Sequence, residues 1–186
     1  VIEGGALDGL SKVEIIAFSP GEGDYVLVTR LADGSSVKIA ERHILPLMQS
    51  QIDRVVAKGA EVVALVCTGS FPEFSCPVPL IKPQVVLGHF VRGVVGKSVL
   101  GVVIPDKDQI EHTFSRWADA GSKVHVVAAS PYGDPAELDR AAMELKARGV
   151  TMGVLDCIGF TFEMKARFGK ALGAPCVLAR SALARS

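Results

Sequence analysis

Apolar and polar residues alternate along this chain with two periods, one typical of strands and one typical of helices. Continuous apolar runs predict buried strands over residues 25–30, 36–40, 62–66, 99–104, 124–128, 154–157 and 176–179. Apolar positions three and four residues apart predict helices over residues 41–58, 85–95, 106–120, 135–148 and 161–171. Because strands and helices alternate through most of the chain, the sequence predicts an α/β fold with a parallel, doubly wound sheet, which is a sheet with helices on both faces.

Turn and capping residues support these boundaries. Asp33-Gly34 between the first two strands predicts a tight β-hairpin. Gly59 predicts the end of the first helix, and Asp106 and Asp134 are expected to cap the helices that follow them. The proline-rich stretch 71–83 is expected to be a loop.

A weak internal repeat relates residues 54–69 to residues 144–159, with equivalent positions 90 residues apart. Each copy contains a helix end, a glycine, a buried strand and a Cys-x-Gly sequence. The identical pairs are Ala57/Ala147, Gly59/Gly149, Leu65/Leu155, Cys67/Cys157 and Gly69/Gly159. Matches of glycine and alanine are common in α/β chains, so the matched cysteines carry most of the weight.

The repeat places Cys67 and Cys157 at the carboxyl ends of two strands, where open parallel sheets bind ligands. A helix start beside each cysteine is expected to favour the thiolate and to lower its pKa. Two thiols on opposite sides of one carbon can act as base and acid. The competing interpretation is structural, because unpaired cysteine is among the most buried residue types.

Groups beside the two cysteines are candidates for holding a substrate carboxylate through hydroxyl and backbone N–H groups. These candidate substrate-binding residues are Thr68, Gly69, Ser70, Ser130, Tyr132, Gly159 and Thr161. Ordinary helix capping is an alternative explanation for those near helix starts, and a plain turn is an alternative for residues 130–132.

Composition excludes several classes of function. The chain has 20 basic and 20 acidic residues, so its net charge of +0 gives no general attraction to nucleic acid or to an anionic membrane. No apolar run reaches the ~18 residues that span a bilayer. Residues 1–5 carry no signal-peptide pattern, so we expect a cytoplasmic protein.

The four cysteines form no Cys-x-x-Cys pair and no metal-type spacing with the four histidines, so we expect free thiols and no metal site. Two of these cysteines, Cys76 and Cys176, have no counterpart in the repeat and are expected to be structural.

Several motifs, in order, resemble the AroM family over nearly the whole chain. They are Gly4-Gly5-Ala6-Leu7-Asp8-Gly9-Leu10, Leu27-Val28-Thr29-Arg30-Leu31-x-Asp33-Gly34, Cys67-Thr68-Gly69-x-Phe71-Pro72, Ser130-Pro131-Tyr132 and Asp156-Cys157-x-Gly159-Phe160-Thr161. That family is similar in turn to the aspartate/glutamate/hydantoin racemase superfamily. The resemblance implies two Rossmann-like lobes related by pseudo-two-fold symmetry, no cofactor, and Cys67 and Cys157 as paired acid and base.

On this resemblance we expect a first lobe made of residues 1–84 and 175–186, with a β-hairpin insertion, and a second lobe made of residues 85–174. Family members begin with a further strand and helix, which we expect to be missing from the numbered chain.

Two functions follow as hypotheses. The first is a cofactor-independent, racemase-like isomerase or related decarboxylase that moves a proton next to the carboxylate of a small molecule. The second is a non-catalytic protein on the same scaffold that binds small carboxylates or has a regulatory role. The hairpin at Asp33-Gly34 also offers a surface for a homo-oligomer.

Overall fold

The computed structural model describes residues 1–184. Contacts between residues divide the chain into two compact units. Unit 1 comprises Val1–Leu65 and Gly69–Ile81, and unit 2 comprises Val66–Thr68 and Lys82–Ser186. The short segment Val66–Thr68, which includes Cys67, therefore belongs to the same unit as Cys157.

Unit 1 is built from short elements and one long helix. They are α1 (Lys12–Ile16), β1 (Val26–Arg30), β2 (Ser36–Ala40), α2 (Glu41–Ala57), β3 (Val63–Ala64) and β4 (Leu80–Ile81). β1 and β2 pair antiparallel, and β3 and β4 pair parallel.

The predicted hairpin is confirmed as β1 and β2. Gly34 adopts a positive φ of 85°, which glycine reaches without a steric penalty. The Asp33 carboxylate accepts hydrogen bonds from the Ser35 backbone N–H at 3.0 Å and from its hydroxyl at 2.5 Å. These two hydrogen bonds, both between Asp33 and Ser35, stabilise the turn between β1 and β2.

Unit 2 contains nine regular elements in the described part of the chain besides a 3₁₀ turn at Lys107–Gln109. They are α3 (Pro83–Val95), β5 (Val99–Ile104), α4 (Ile110–Trp117), β6 (Lys123–Ala128), α5 (Pro135–Ala147), β7 (Met152–Leu155), α6 (Phe162–Leu172), β8 (Cys176–Leu178) and α7 (Ala179–Leu183). The four strands form one parallel sheet in the order β6-β5-β7-β8.

The sheet of unit 2 is covered on both faces. Along β5, Val102 packs into an apolar cluster with Leu87 of α3, whereas the next residue, Val103, packs into a second cluster with Leu145 of α5. Successive side chains of a strand point to opposite faces, so an apolar run such as β5 requires helices on both sides. The predicted α/β fold with a parallel sheet is confirmed.

Several element boundaries differ from the prediction. The helix predicted over 106–120 is a 3₁₀ turn followed by α4, and Asp106 caps the turn by accepting the Asp108 N–H at 3.0 Å. The strand predicted over 62–66 is reduced to β3, and its partner β4 lies inside the predicted loop 71–83. The helix α7 directly follows β8 and was not predicted.

The internal repeat is reproduced in local geometry at the two helix ends. Gly59 and Gly149 both adopt positive φ, at 90° and 74°. The residues before them, Lys58 and Arg148, have φ of −86° and −85°, each with ψ of 6°. The backbone hydrogen bonds that end the two helices join equivalent residues, such as Lys58 N–H to the Arg54 carbonyl at 3.2 Å and Arg148 N–H to the Glu144 carbonyl at 3.1 Å.

The wider symmetry and the lobe boundaries stay predictions. The two compact units differ from those lobe boundaries near the carboxyl end of the described chain, where residues 175–184 group with unit 2. The reason is strand pairing, because β8 joins the sheet of unit 2 beside β7.

Candidate functional site

Cys157 lies two residues beyond β7, in a turn that leads to α6. The backbone N–H of Gly159 donates to the Cys157 Sγ at 3.3 Å, and the N–H of Phe160 donates to the Cys157 carbonyl at 3.3 Å. The Arg180 guanidinium donates to the Ile158 carbonyl from Nε at 3.2 Å and from Nη2 at 2.9 Å. These bonds fix the turn and point one backbone N–H group at the thiol.

Cys67 lies in the segment Val66–Thr68 and is half-buried, as Cys157 is. Neither cysteine forms a disulfide bond. The charge of Cys67 contributes to a raised pKa of Cys157. The two cysteines predicted from the repeat belong to the same unit.

Burial is the main influence on the acidity of Cys157. Desolvation raises the pKa of its thiol to about 12, with smaller increases from the charges of Cys67 and Asp156. The Gly159 N–H and the Tyr132 hydroxyl lower it. The expectation that a helix start lowers the pKa of this cysteine is wrong, because loss of hydration outweighs the donors that face the sulfur.

Tyr132 lies beside Cys157 and Gly159. Its hydroxyl hydrogen-bonds the Cys157 thiol. A Cβ added at Gly159 would lie 2.7 Å from the Tyr132 Cζ and 2.9 Å from the Pro131 Cγ. Only glycine fits at this position without moving the tyrosine. The glycine of the Cys-x-Gly sequence therefore allows the Ser-Pro-Tyr segment to pack against it.

A buried ion pair lies directly before Cys157. The Asp156 side chain is fully buried and pairs with the Arg116 guanidinium. The Trp117 indole N–H donates to the same carboxylate oxygen, Oδ2, at 2.9 Å. The other oxygen, Oδ1, is buried with no hydrogen-bond partner within residues 1–184.

The same group of residues reaches the segment that carries Cys67. The Thr68 hydroxyl donates to the Asp156 carbonyl at 3.2 Å, and Arg116 Nη1 donates to the Thr68 carbonyl at 2.8 Å. The Thr68 hydroxyl thus takes part in a bond within the protein. Sequence reasoning missed Arg116, because it lies 40 positions before Asp156 and such a separation leaves no local pattern.

Two other predicted binding residues have local structural partners. The Thr161 hydroxyl accepts the Met164 N–H at 3.3 Å and caps α6. The Ser130 hydroxyl accepts the Tyr132 N–H at 3.1 Å, which closes a turn after β6. Capping and turn formation, the alternatives considered from the sequence, therefore both occur.

Gly69 and Ser70 belong to unit 1. The Ser70 N–H donates to the Tyr25 hydroxyl at 3.2 Å. A Cβ added at Gly69 would lie 2.7 Å from the Phe71 ring and 3.1 Å from Leu27. These two residues are held by unit 1, whereas the other predicted site residues lie in unit 2.

The remaining cysteines pack against apolar clusters. Cys176 on β8 contacts the cluster around Phe168, and burial raises the pKa of its thiol to about 12. Cys76 contacts the cluster around Ile52 in unit 1.

Two further findings concern other kinds of site. Among residues 1–184, no group of three or more His, Cys, Asp or Glu side chains is arranged to hold a metal ion. Within the same residues, no helix has the length and apolar character needed to cross a bilayer.

A family model described as AroM protein matches residues 1–186. A search among curated proteins finds no match. Among solved structures, the chain is similar to allantoin racemase from Klebsiella pneumoniae, with a TM-score of 0.54 and 17% sequence identity. The similarity covers 75% of this chain and 62% of that racemase, so this chain spans less than two thirds of its length. At this identity the likeness concerns the fold.

Proposed function

This chain belongs to the AroM family, and from that premise we propose that it is a racemase-like enzyme that needs no cofactor. The proposed reaction moves a proton at the carbon next to the carboxylate of a small molecule, with Cys67 and Cys157 as base and acid. The observation that supports it is the hydrogen bond from the Thr68 hydroxyl to the Asp156 carbonyl at 3.2 Å, which joins the residues next to Cys67 and Cys157 within unit 2. The fold shared with allantoin racemase adds support at the level of architecture.

The two thiols are assigned different roles in the resting protein. Because the pKa of Cys157 is raised to about 12, this thiol is protonated at neutral pH and suits the role of acid. Cys67 is then the base. Its thiolate takes the proton from the substrate carbon, and the electron pair of that C–H bond is delocalised onto the carboxylate.

The reaction is completed at Cys157, whose S–H bond delivers a proton to the opposite face of the carbon. Cys67 is then a thiol and Cys157 a thiolate, and proton exchange with water restores the starting state. The thiolate of Cys157 forms beside two donors, the Gly159 N–H and the Tyr132 hydroxyl. Hydrogen bonds of this kind stabilise the charge that appears on sulfur as the proton leaves.

We propose further that the substrate carboxylate is held by backbone N–H and hydroxyl groups near the thiols. The residues proposed for this role are Thr68, Gly69, Ser70, Ser130, Tyr132, Gly159 and Thr161. We also propose that the protein is located in the cytoplasm. The hairpin formed by β1 and β2 is the surface proposed for contacts in a homo-oligomer.

Deuterium wash-in tests the proposed function. The protein is incubated in D₂O with a panel of amino acids and 2-substituted acids, and deuterium next to the carboxylate is measured by mass spectrometry. At least one acid is expected to exchange, and Cys67→Ser and Cys157→Ser should each slow its racemisation by several orders of magnitude. Cys76→Ala serves as the control and should react like the unsubstituted chain. Acids that bind without any exchange would contradict the proposal.

A second candidate function is binding of small carboxylates without chemistry. The observation that favours it is the raised pKa of Cys157, because a thiol that stays protonated also fits a structural role. This alternative predicts that Cys67→Ser and Cys157→Ser leave the affinity for the bound acid nearly unchanged and that no exchange occurs. Isothermal titration calorimetry of both variants distinguishes it from the enzyme.

A further inference from the structure

We propose that Arg116 is a positioning residue that joins the two cysteine-bearing segments and thereby sets the separation of the two thiols. The catalytic consequence rests on the proposed function. The positioning itself concerns only contacts within unit 2, and it can be tested without a substrate.

The contacts of Arg116 reach the residue next to each cysteine. Its guanidinium donates to the carbonyl of Thr68, the residue after Cys67, at 2.8 Å. It also pairs with the carboxylate of Asp156, the residue before Cys157. The Thr68 hydroxyl donates to the Asp156 carbonyl at 3.2 Å and adds a second link between the same two segments.

Burial makes this arrangement stiff. The side chain of Asp156 is 0% exposed and that of Arg116 is 13% exposed, so neither charge can be hydrated if the pair separates. Removing one partner of a buried pair leaves a charge without compensation. The Trp117 N–H holds the same carboxylate oxygen at 2.9 Å, which limits its rotation.

Arginine is required at this position because it must satisfy two acceptors in different directions. The planar guanidinium presents donors in a fixed fork, whereas a lysine ammonium is a compact charge on a flexible stem. Lysine at 116 can reach either the Asp156 carboxylate or the Thr68 carbonyl, but the fork that holds both is lost. The two cysteine segments should then move more freely relative to each other.

The chain offers a matched control for Arg116. Arg92 also pairs with a carboxylate, that of Asp119, and also donates to a backbone carbonyl, that of Arg116, at 3.0 Å. Both arginines lie over the Trp117 ring, at 5.5 Å and 5.8 Å from its centroid. The Asp119 side chain is 73% exposed, however, and neither Arg92 nor Asp119 adjoins a cysteine.

Cross-linking of the two thiols by dibromobimane, a short reagent that reacts with two thiols, tests the proposal. The rate of Cys67–Cys157 bridging is followed by peptide mass mapping. Arg116→Lys should slow bridging by on the order of tenfold, as expected for loss of one buried charged hydrogen bond. Arg92→Lys should bridge at the unsubstituted rate. Equal rates in Arg116→Lys and the unsubstituted chain, or no bridging in the latter, would overturn the positioning role.

A double variant covers the case in which Arg116→Lys does not fold. Arg116→Met with Asp156→Asn removes both buried charges, and the asparagine still offers an oxygen to the Trp117 N–H. This variant leaves no buried charge without a partner, yet it loses the hydrogen bond from residue 116 to the Thr68 carbonyl. Its bridging rate should also fall on the order of tenfold. An unchanged rate in the folded double variant would overturn the proposal.

Deuterium wash-in separates this inference from the proposed function. If Arg116→Lys slows bridging while no acid ever exchanges, the positioning role stands and the proposed function fails. If an acid exchanges, Arg116→Lys should lower kcat by more than it raises KM, because both thiols move whereas Thr68 is one of seven residues proposed to hold the carboxylate. An unchanged kcat together with unchanged bridging would overturn the positioning role and leave the proposed function intact.

Discussion

Removal of the Asp156 carboxylate tests whether the buried ion pair stabilises unit 2. In Asp156→Ala, the charge of Arg116, whose side chain is 13% exposed, loses its carboxylate. The Trp117 N–H, which donates to the same carboxylate at 2.9 Å, loses its acceptor. The variant therefore leaves one buried charge and one buried donor without their present partner.

The expected loss of stability is large. Removing one partner of a buried ion pair costs about 3–5 kcal/mol, and whole domains are stable by only about 5–15 kcal/mol. Asp156→Asn keeps an oxygen for the Trp117 N–H and should cost less than the alanine variant. Asp119→Ala removes an exposed partner of Arg92 and should change stability little, because water and salt screen an exposed pair.

Urea unfolding followed by tryptophan fluorescence measures these differences. Trp117 is the single tryptophan of the chain and contacts Asp156, so its emission reports on unit 2. We expect the midpoint for Asp156→Ala to fall well below that for Asp119→Ala. Equal midpoints for the two variants would refute the reasoning, because they would show that the buried pair contributes no more than the exposed one.

Three further predictions concern the turn after β7 and the thiols. Gly159→Ala should destabilise the chain by about 1–3 kcal/mol through overpacking against the neighbouring tyrosine ring. As a control, Gly93→Ala places its methyl group in open space on α3 and should stabilise the chain by up to about 1 kcal/mol. The midpoints of urea unfolding measure both changes. Burial raises the pKa of both Cys157 and Cys176 from 9.0 to about 12, so the unfolded thiols ionise first as pH rises above 9.0. Under reducing conditions, stability should then fall between pH 9.0 and about pH 12, by at most about 1.4 kcal/mol per pH unit for each thiol, and a flat profile would contradict this. Cys67→Ser should lower the pKa of Cys157, since Cys67 raises it. The rate at which iodoacetamide labels Cys157, followed by peptide mass mapping across a range of pH, measures that pKa. An unchanged pH midpoint of labelling would contradict the prediction.

Local patterns were sufficient to predict the features of the fold that depend on nearby residues. The Asp33-Gly34 hairpin forms through bonds between adjacent residues. The helix ends at Gly59 and Gly149 need only a positive φ and a few backbone bonds within one turn. The length of β3 could not be predicted in this way, because a strand extends only where a partner strand lies beside it, and its partner β4 occurs in a proline-rich stretch.

The energetics around the candidate cysteines could not be predicted from the sequence. The repeat and the rule that ligands bind at the carboxyl ends of parallel strands predict Cys67 and Cys157 as a pair, and that pairing stays a prediction. The pKa of Cys157 depends on how many atoms surround the sulfur, which is decided by tertiary packing. The link through Arg116 joins segments 40 and 48 residues away in sequence, so no local spacing signals it.

The most direct test of the paired thiols is exchange of each enantiomer of a reactive acid in the two single-serine variants. If the cysteines act on opposite faces of one carbon, each variant keeps one thiol on one face. Cys157→Ser keeps the Cys67 base, so we predict that it exchanges deuterium into one enantiomer at neutral pH. Cys67→Ser keeps only the Cys157 thiol, which burial holds protonated, so we predict exchange into the other enantiomer only as the pH is raised, and neither variant should interconvert the two. Exchange of the same enantiomer by both variants, or full racemisation by either, would contradict two-thiol catalysis.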